Sequence, residues 1–362
     1  MHETDKVTTL VFDWGDTLMS TISGYLGPMV DWPQIAVVDG AAQALEQLAG
    51  RYRLVVGTNA ADSSAGQVKA ALQRGGIGQY FQEVFTAHQL GGLRKPAVGY
   101  FHALQAELNE PAQHMLMVGD DYQVDVLGAY LAGWRTLWYN PAIRACPGLA
   151  PLQDADVYRM SHLPDVLLRL RFPGWDTCQA WMRASLLPHT LLLHSYSVAA
   201  VAYLMAIWLR QNGEAVDPLL AHRGGLLHDL AKVPPAGAAV PPTIHHGEGA
   251  ARLLTTYGQP ELAQIARRHM LFSLNTAEER PQSWEEKLVY LADKLVEGSG
   301  VVTFEERLQA LRRRYKMEEA EHPISEIVPA LEALQAEICQ AMHLSPAELV
   351  PKLRSHLYNG KF

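Results

Sequence analysis

The stretch TTLVFDWGDTL, residues 8–18, gives the clearest indication of how the first half of this chain folds. Its first residues, TTLVF, form a short apolar run that predicts a buried strand. Asp13 follows at the end of that run, and Gly15, Asp16 and Thr17 come directly afterwards. The sequence therefore places an acidic side chain at the carboxyl end of the first strand.

Further apolar runs with strand composition alternate with helical patterns as far as about residue 170. The strand candidates are TTLVF (8–12), RLVVGT (53–58), EVFTA (83–87), MLMVG (115–119) and RTLWYN (135–140), and helical patterns lie between them at 40–52 and 97–109. This alternation predicts an α/β doubly wound parallel sheet. Ligands in such sheets bind beyond the carboxyl ends of the strands, where Asp13, Thr58 and Asp120 are expected.

The sequence pattern changes after RLRFPGW, residues 169–175, where Pro173 and Gly174 interrupt the periodicity. From there helical spacing dominates to the C-terminus, and 10 of the 15 histidines lie beyond residue 175. We therefore predict two domains, a doubly wound domain over 1–172 and an all-α domain with a helical C-terminal tail over 176–362.

The length of 362 residues exceeds what one hydrophobic core usually supports, which agrees with two domains. The bulk composition is that of a soluble protein. The net charge of −8 argues against a broad electrostatic surface for nucleic acid. The three scattered cysteines, Cys146, Cys178 and Cys339, fit neither a disulfide framework nor a thiolate metal site, and they are typical of a reducing cytosol.

The N-terminal residues MHETDKVTTL show no signal peptide, and the longest apolar stretch, 198–209, is too short to span a bilayer. We expect a cytoplasmic protein whose partner is a small molecule, with no membrane and no nucleic-acid partner. The sequence does not determine the oligomeric state.

Four landmarks follow one another in the first half. They are Asp13 after the first strand, Thr58 after the second, Lys95 within RKPAVGYF, and Asp120 with Asp125 in GDDYQVDVLGA after the fourth. Singly, each has an ordinary explanation, such as a helix cap or a surface lysine. As an ordered set they resemble the haloacid dehalogenase-like (HAD) superfamily across this domain.

The resemblance implies a phosphoryl-transfer site. Asp13 would attack phosphorus and form an aspartyl-phosphate, while Thr58 and Lys95 would hold the phosphoryl oxygens. Mg²⁺ would be bound by Asp13, by Asp120 and by the backbone carbonyl of Gly15, with Asp125 in the outer shell, because hard Mg²⁺ prefers oxygen ligands.

Gly15 is the departure from the family pattern, in which the residue two after the nucleophile is a general acid/base carboxylate. Asp16 comes one residue later, so its side chain is expected to point elsewhere. Efficient hydrolysis of phosphomonoesters is therefore disfavoured. The interval from Asp13 to Thr58 leaves no room for a large cap domain, so we expect a small cap and an open site.

Histidines and aspartates recur along the helical half. They are His194, the pair His228 and Asp229, the pair His245 and His246, His269, and Asp293. A lone histidine in an apolar helix is usually a core residue, but an adjacent His-Asp pair inside GLLHDLAK is costly to bury unless a metal or hydrogen bonds satisfy it. The series therefore predicts a metal site.

This series resembles the HD-domain metal-dependent phosphohydrolases, and among them the YqeK-type symmetrical bis(5′-nucleosyl)-tetraphosphatases. The resemblance implies that His194, His228, Asp229 and Asp293 bind one metal. Asp229 would bridge to a second metal, held by His245 or His246 together with His269. Iron is favoured by the resemblance, while manganese and zinc also suit imidazole and carboxylate ligands.

The adjacent histidines leave an ambiguity, since His245 has Gly-Ala four and five residues later and His246 is followed directly by glycine. The four-residue step is about one helical turn, so we favour His245. Lys232, near His228, is a candidate for holding a phosphate oxygen, with a solvent-facing helix-end lysine as the alternative.

These patterns together predict a two-domain metal-dependent phosphohydrolase, whose HD half hydrolyses a nucleotide phosphoanhydride such as diadenosine tetraphosphate to ADP. One alternative places the main activity in the HAD-like half as a Mg²⁺ phosphatase. The other is a nucleotide-binding regulatory protein in which the altered HAD-like half is a scaffold.

Overall fold

In the computed structural model, residues 7–168, 170, 172–233, 245–315 and 324–358 are described, and the chain divides into two compact units. The first unit contains the described residues up to Arg144 and those from Leu152 to Gly174. The second contains Ala145–Pro151 and the described residues from Trp175 onwards. The segment 145–151, which the sequence assigns to the first domain, thus belongs to the second unit.

A six-stranded, all-parallel sheet forms the centre of the first unit, in the order β3-β2-β1-β4-β5-β6. The strands are β1 (Thr9–Phe12), β2 (Arg53–Thr58), β3 (Glu83–Thr86), β4 (Met115–Gly119), β5 (Arg135–Tyr139) and β6 (Ala155–Val157). The doubly wound prediction is confirmed, and the first five strands lie where the sequence predicts them. The short edge strand β6 was not predicted.

The helices of the first unit are α1 (Ala41–Leu48), α2 (Ala65–Arg74), α3 (Val98–Leu108), α4 (Gly128–Leu131) and α5 (Leu163–Leu168). They cover both faces of the sheet. Leu10 and Phe12 of β1 pack into one apolar cluster, while Val11 points to the other face and packs into a second. This explains the unbroken apolar run in β1, since a strand buried on both faces has no polar side to alternate with.

The register of the sheet fixes the position of the site. Phe12, the last residue of β1, pairs with Val56 of β2 and with Val118 of β4. The residues that follow these strands therefore meet at one edge of the sheet. Between β1 and α1 the chain forms only a short segment with a single-turn 3₁₀ helix, Met29–Asp31, which is the small cap that the sequence predicts.

The second unit is helical. Its helices are α6 (Trp175–Ala184), α7 (His189–Gln211), α8 (Pro218–Leu227), α9 (His246–Thr256), α10 (Pro260–Arg268), α11 (Trp284–Lys294), α12 (Phe304–Tyr315), α13 (Ile324–Ala341) and α14 (Pro346–Tyr358). A short hairpin with two residues in each strand follows α11. It pairs β7 (Val296–Glu297) with β8 (Gly300–Val301), and the sequence did not predict it.

Helix α7 is the apolar centre of this unit. It extends the apolar stretch 198–209 to a helix of 23 residues, which is long and apolar enough to cross a membrane by length and composition alone. However, 61% of its most apolar window is buried inside the protein. Apolar residues on all sides of a helix are typical of a buried core helix.

Candidate functional site

The first cluster of functional side chains lies at the carboxyl edge of the parallel sheet. Lys95 Nζ lies 2.6 Å from Asp13 Oδ1 and 2.6 Å from Asp125 Oδ1. Asn59 fixes the backbone of Lys95. The Asn59 side-chain amide donates to the Lys95 carbonyl at 2.8 Å and accepts from the Lys95 backbone N–H at 2.9 Å. The buried lysine thus ties the residue after β1 to the residues that follow β4.

Asp120 completes this cluster beside Asp13. Carboxylate oxygens of Asp13, Asp120 and Asp125 lie within 4.8 Å of one another. Thr17 Oγ1 donates to Asp120 Oδ1 at 3.0 Å, and the indole of Trp138 donates to the Asp120 carbonyl at 2.9 Å. Three carboxylates facing one another are an oxygen-rich set that suits a hard cation such as Mg²⁺.

Burial and charge act against each other in this first cluster. Burial alone would lower the pKa of Lys95, but the carboxylates of Asp125 and Asp13 outweigh it, so the lysine pKa stands above its ordinary value. Burial, together with the charge of Asp13, raises the pKa of Asp120 to about 6. A bound cation would favour the charged form of Asp120, because an opposite charge offsets the cost of burying a carboxylate.

The structure also shows what Gly15 and Asp16 do. A Cβ added to Gly15 would meet nothing nearer than Thr21 Oγ1 at 3.9 Å, so the position has room for a side chain. Asp16 has φ of 53°, and its carboxylate accepts from Thr21 N–H at 2.8 Å and from Thr21 Oγ1 at 2.9 Å. Asp16 therefore serves the cap segment, in agreement with the expectation that its side chain points elsewhere.

A cavity of about 310 Å³ opens beside this cluster. Asp13, Gly15 and Thr58 line it together with Trp32 of the cap segment. Thr58 is buried, and its Oγ1 accepts from the Ala60 N–H at 3.1 Å. The cavity shows that a ligand can reach Asp13 directly.

The second cluster lies in the helical unit and draws on five of its elements. His194 lies on α7, Asp293 lies on α11, and His246 is the first residue of α9. His228 with Asp229 directly follows α8, and His269 directly follows α10. All of these except His246 are buried.

Two adjacent glycines of α8 allow the helices to approach closely enough for these side chains to meet. A Cβ on Gly225 would lie 2.6 Å from the Cα of Ala199 on α7, and a Cβ on Gly224 would lie 2.8 Å from a methyl carbon of Ile265 on α10. Neither position accommodates a side chain without movement of the backbone or of a packed neighbour. The glycines therefore bring His228 against α7 and α10.

The polar atoms of the second cluster converge on two carboxylates. His194 Nε2 lies 2.9 Å from Asp293 Oδ1, and His228 Nε2 lies 3.7 Å from the same oxygen. On the other side, His246 Nε2 and His269 Nε2 lie 3.1 Å and 3.5 Å from Asp229 Oδ1. Two adjacent sets of ligand atoms result, His194 with His228 and Asp293, and His228 with Asp229 and His269.

Three of the imidazoles are oriented by backbone carbonyls. The Nδ1 atoms of His194, His228 and His269 lie 3.2, 2.7 and 2.6 Å from the carbonyls of Gly298, Gly225 and Ala266. A carbonyl only accepts, so each Nδ1 carries the proton and each Nε2 presents its lone pair to the cluster when the ring is neutral. A hydrogen bond from Nδ1 to a backbone carbonyl is typical of metal-ligating histidines.

Two buried atoms at the centre support the fit to a metal. Within the described part of the chain, His228 Nε2 and Asp229 Oδ1 have no hydrogen bond of good geometry, although both are fully buried. Leaving such atoms unsatisfied is costly in a protein interior. Imidazole nitrogens and carboxylate oxygens in this arrangement suit a transition metal such as iron, manganese or zinc.

The structure places His246 rather than His245 at the second cluster. His245 is the N-cap of α9, and its exposed ring accepts from the Glu248 N–H at 3.3 Å. His246, one residue later, turns its ring into the cluster. The physical reason is the start of the helix, because the N-cap side chain folds back over the first turn while the next residue already follows the helix.

Two lysines contact the carboxylates of the second cluster. Lys232 Nζ, which is partly exposed, lies 2.6 Å from Asp229 Oδ2, so the structure brings this predicted residue to the site. Lys294 was not predicted. It is buried, and its Nζ donates to Asp293 Oδ2 and, at 2.8 Å, to the carbonyl of His269. Its signal in the sequence was its place directly after Asp293 in an apolar helix.

The charge state of this cluster follows from its two carboxylates. Burial would lower the pKa of His228, but Asp229 and Asp293 outweigh it and raise the pKa to about 9. Burial lowers the pKa of His269 to about 4. His228 therefore carries a proton at neutral pH when no metal is bound, while His269 is neutral.

Comparison with known proteins matches a different family in each half of the chain, in agreement with two different sites. Residues 191–297 match the model of the HD domain family, and residues 92–143 match the model of the HAD-hydrolase-like family. The uncharacterized protein MJ0778 of Methanocaldococcus jannaschii is 32% identical over 133 residues, which cover 33% of this chain and 75% of that protein. The chain contains a HAD-like hydrolase domain. It carries an HD domain in addition.

Two further comparisons concern the HAD-like half. The pyrimidine 5′-nucleotidase YjjG of Escherichia coli is 32% identical over 113 residues, which cover 31% of this chain and 49% of that protein. The chain spans about half the length of the first curated relatives it matches. The crystal structure of an uncharacterized protein from Listeria monocytogenes serotype 4b is 25% identical with a TM-score of 0.41, covering 46% of this chain and 99% of that chain.

The HD match includes every residue of the second cluster, since His194 and Asp293 lie just inside its limits. The HAD-hydrolase-like match includes Lys95, Asp120 and Asp125, whereas Asp13 and Thr58 come before it in the sequence. The sheet register brings those two earlier residues to the same edge as the matched ones.

Proposed function

We propose that this protein is a cytoplasmic, metal-dependent phosphohydrolase whose main activity resides in the HD domain and acts on a nucleotide phosphoanhydride. The observation that carries the proposal is the convergence of four imidazole Nε2 atoms on the carboxylates of Asp229 and Asp293. Two buried atoms without a good hydrogen bond lie at its centre. Such a set satisfies its polar atoms by binding cations.

The proposed ligands fall into two groups that share residues. His194, His228 and Asp293 would hold one ion, and Asp229, His246 and His269 would hold a second, with Asp229 also contributing to the first. Metal ions bound here would polarise a phosphoryl oxygen and activate a water molecule for attack on phosphorus. The resemblance of the motif series to YqeK-type enzymes favours iron.

Lysine residues in the proposed site compensate negative charge. The side chain of Lys232 is 35% exposed and contacts Asp229 Oδ2, so its ammonium group is accessible to a phosphate at the site. Lys294 stays buried and fixes Asp293 Oδ2, which leaves Asp293 Oδ1 facing His194 and His228. We assign substrate contact to Lys232 and positioning of Asp293 to Lys294.

For the substrate we propose diadenosine tetraphosphate, cleaved by water to two ADP. Attack of water on either inner phosphorus, with the other ADP as the leaving group, breaks the central P–O–P bridge and gives two molecules of ADP. The order His, His-Asp, His, His, Asp along the second half supports this choice through its resemblance to the symmetrical tetraphosphatases.

A second activity is proposed for the HAD-like half, that of a Mg²⁺-dependent phosphatase. Its support is the contact of Lys95 with both Asp13 and Asp125, which sets a charged lysine beside the proposed nucleophile. Asp13 would attack phosphorus while Lys95 and Thr58 hold the phosphoryl oxygens. The absence of a carboxylate at Gly15 limits this activity to substrates whose leaving group needs little protonation.

The experiment is a comparison of three full-length chains on diadenosine tetraphosphate, with the products separated by anion-exchange chromatography. Wild type and Asp13→Asn are expected to give ADP alone at equal rates, and His228→Ala is expected to be inactive. Production of ATP with AMP would contradict symmetrical cleavage, and loss of activity in Asp13→Asn would place the reaction in the other half. If no chain hydrolyses any nucleotide with added metal, the regulatory alternative replaces this proposal.

A further inference from the structure

A cavity of about 330 Å³ in the helical unit belongs to neither cluster. Its walls come from residues 148–150, from the start of α6, from one face of α7, from α8, from the β7–β8 hairpin and from the end of α14. The volume is at the lower end of the range for small-molecule sites, which is about 300–1,000 Å³. It suits one ring system or a nucleoside.

Aromatic side chains form much of this cavity. Trp175 and Tyr196 lie with their ring planes 23° apart and their centroids at 6.1 Å, and Trp175 lies 5.9 Å from the ring of His222. Tyr358 also lines the cavity and is more than half exposed. Aromatic side chains in the wall of a cavity suit a planar ligand that stacks on a face left open by this packing.

The lining side chains carry no formal charge among the residues that the structure describes. His222 is the one ionisable candidate at ordinary pH, and burial next to Arg223 lowers its pKa well below the usual range. Arg223 Nη1 donates to His222 Nδ1 at 2.8 Å, so the neutral ring carries its proton on Nε2. An uncharged lining disfavours a phosphate group and favours a neutral ring.

Hydrogen-bond donors are available to such a ring. The Tyr358 hydroxyl accepts from the Val301 N–H at 2.9 Å and keeps its own proton to donate. His222 offers Nε2–H. A ring with acceptor nitrogens or carbonyl oxygens at its edge complements these donors, which is the chemistry of a nucleobase rather than of a purely apolar ring.

The turn between β7 and β8 lies between this cavity and the second cluster and contacts both. The Gly298 carbonyl accepts from His194 Nδ1 at 3.2 Å, and the next carbonyl, that of Ser299, accepts from Ser197 Oγ at 3.0 Å. Ser197 and Ser299 both line the cavity. A ligand in the cavity therefore rests against the two-residue turn that orients His194.

We propose that this cavity, lined by Trp175, Tyr196, His222 and Tyr358, is a nucleobase-binding site beside the HD metal cluster. The choice of adenosine as the probe rests on the proposed function, whereas the site itself rests on the aromatic faces, the uncharged lining and the two donors. The base comes either from the substrate nucleotide or from a separate nucleoside that acts through the turn at Gly298.

The test is titration calorimetry of the full-length protein with adenosine, which carries no phosphate. Trp175→Leu removes a stacking face, and Ala200→Leu fills the cavity from α7. Both are expected to weaken adenosine binding about tenfold or more, since stacking of one base on an aromatic side chain is commonly of that size. Ala180→Leu, an exposed position on α6, is the matched control and is expected to bind like wild type.

No binding of adenosine to wild type, or equal binding to wild type, Trp175→Leu and Ala200→Leu, would overturn the proposal. Melting curves of each variant establish that it is folded, and Ala200→Leu keeps the test open if Trp175→Leu is not. The two sources of the base differ in kinetics. Competitive inhibition by adenosine identifies the base of the substrate, and a changed kcat without competition identifies a separate nucleoside; both support the site.

Failure of this proposal is separable from failure of the proposed function. Asp229→Ala is expected to lose hydrolysis and to keep its affinity for adenosine. If diadenosine tetraphosphate is not a substrate of wild type but adenosine binds in the cavity, the proposed function is wrong and the site stands. If hydrolysis is observed but all variants bind adenosine equally, the proposed function stands and the nucleobase site is wrong.

Discussion

His246 Nε2 lies 3.1 Å from Asp229 Oδ1, whereas the neighbouring ring of His245 turns away to accept the Glu248 N–H. Only one peptide bond separates His246, whose side chain lies in the second cluster, from His245, whose exposed side chain caps helix α9.

His246→Ala is expected to weaken metal binding about tenfold or more, because it removes a nitrogen from the cluster. His245→Ala is the matched control. It is expected to leave metal affinity unchanged and to cost at most about 1 kcal/mol of helix stability, the usual scale of a lost N-cap. Competition with a chromophoric chelator measures both affinities. The opposite ranking would mean that α9 begins differently when metal is bound.

Local sequence spacing could not make this choice, because His245 and His246 each satisfy part of the expected pattern. The decision depends on which residue begins the helix, and that depends on packing of α9 against α10 around Gly247, where a Cβ would lie 2.8 Å from the Ala266 carbonyl. By contrast, the spacing of motifs over the whole second half predicted His194, His228, His269 and Asp293 as a group, and the structure brings them together.

The fold likewise contains elements that the sequence predicts and elements that it does not. Strands β1, β2, β4 and β5 were predictable because each is a largely apolar run buried on both faces, whereas the edge strand β3 alternates buried and half-buried residues. The edge strand β6 contains Asp156, and each strand of the β7–β8 hairpin has only two residues, so neither has a periodicity to detect. Residues 145–151 join the helical unit through contacts distant in sequence, such as the Cys146 N–H with Tyr203 Oη at 3.1 Å.

Metal binding to the HD domain is expected to release protons at pH 7.5. The pKa of His228 is raised to about 9 when no metal is bound, and a protonated histidine must lose this proton before its Nε2 can bind a metal. Affinity should therefore rise with pH, by up to about tenfold per unit below pH 9 for each proton released. Calorimetry in two buffers of different ionisation enthalpy measures the proton count. Heats that do not depend on the buffer would contradict the charged state of His228.

Lys294→Met is expected to weaken metal binding about 10–100-fold, the usual effect of losing a group that orients a metal ligand. The lysine fixes Asp293 Oδ2 and the His269 carbonyl together, so its loss loosens one residue from each set. Lys287→Met on the same helix is the control, since Lys287 pairs with Glu337 on α13. Equal metal affinity in both variants would show that Asp293 needs no such support.

The double change Gly15→Asp with Asp16→Gly is expected to raise the Mg²⁺-dependent phosphatase activity of the HAD-like half. The structure favours it, because Gly15 has room for a side chain and the φ of 53° at position 16 suits glycine. Alkyl phosphates should gain most, up to about 10²–10⁴-fold, because their leaving groups need a positioned acid. Aryl phosphates should gain modestly.

Hydrolysis of both kinds of phosphate is compared in the wild type, in the double variant and in Gly15→Asp alone, which keeps the contact of Asp16 with Thr21. Asp13→Asn is the blank. Rapid turnover of alkyl phosphates by wild type would show that another group supplies the proton. A folded, Mg²⁺-binding double variant that stays inactive would favour a scaffold role for this half.

Metal binding by the second cluster is tested most directly by elemental analysis of the full-length protein, purified without chelators. We predict up to two transition-metal ions per chain in wild type. His228→Ala and Asp229→Ala should lose nearly all of that metal while keeping the helical content of wild type by circular dichroism. Full metal occupancy in both folded variants, equal to that of wild type, would contradict the assignment of the site.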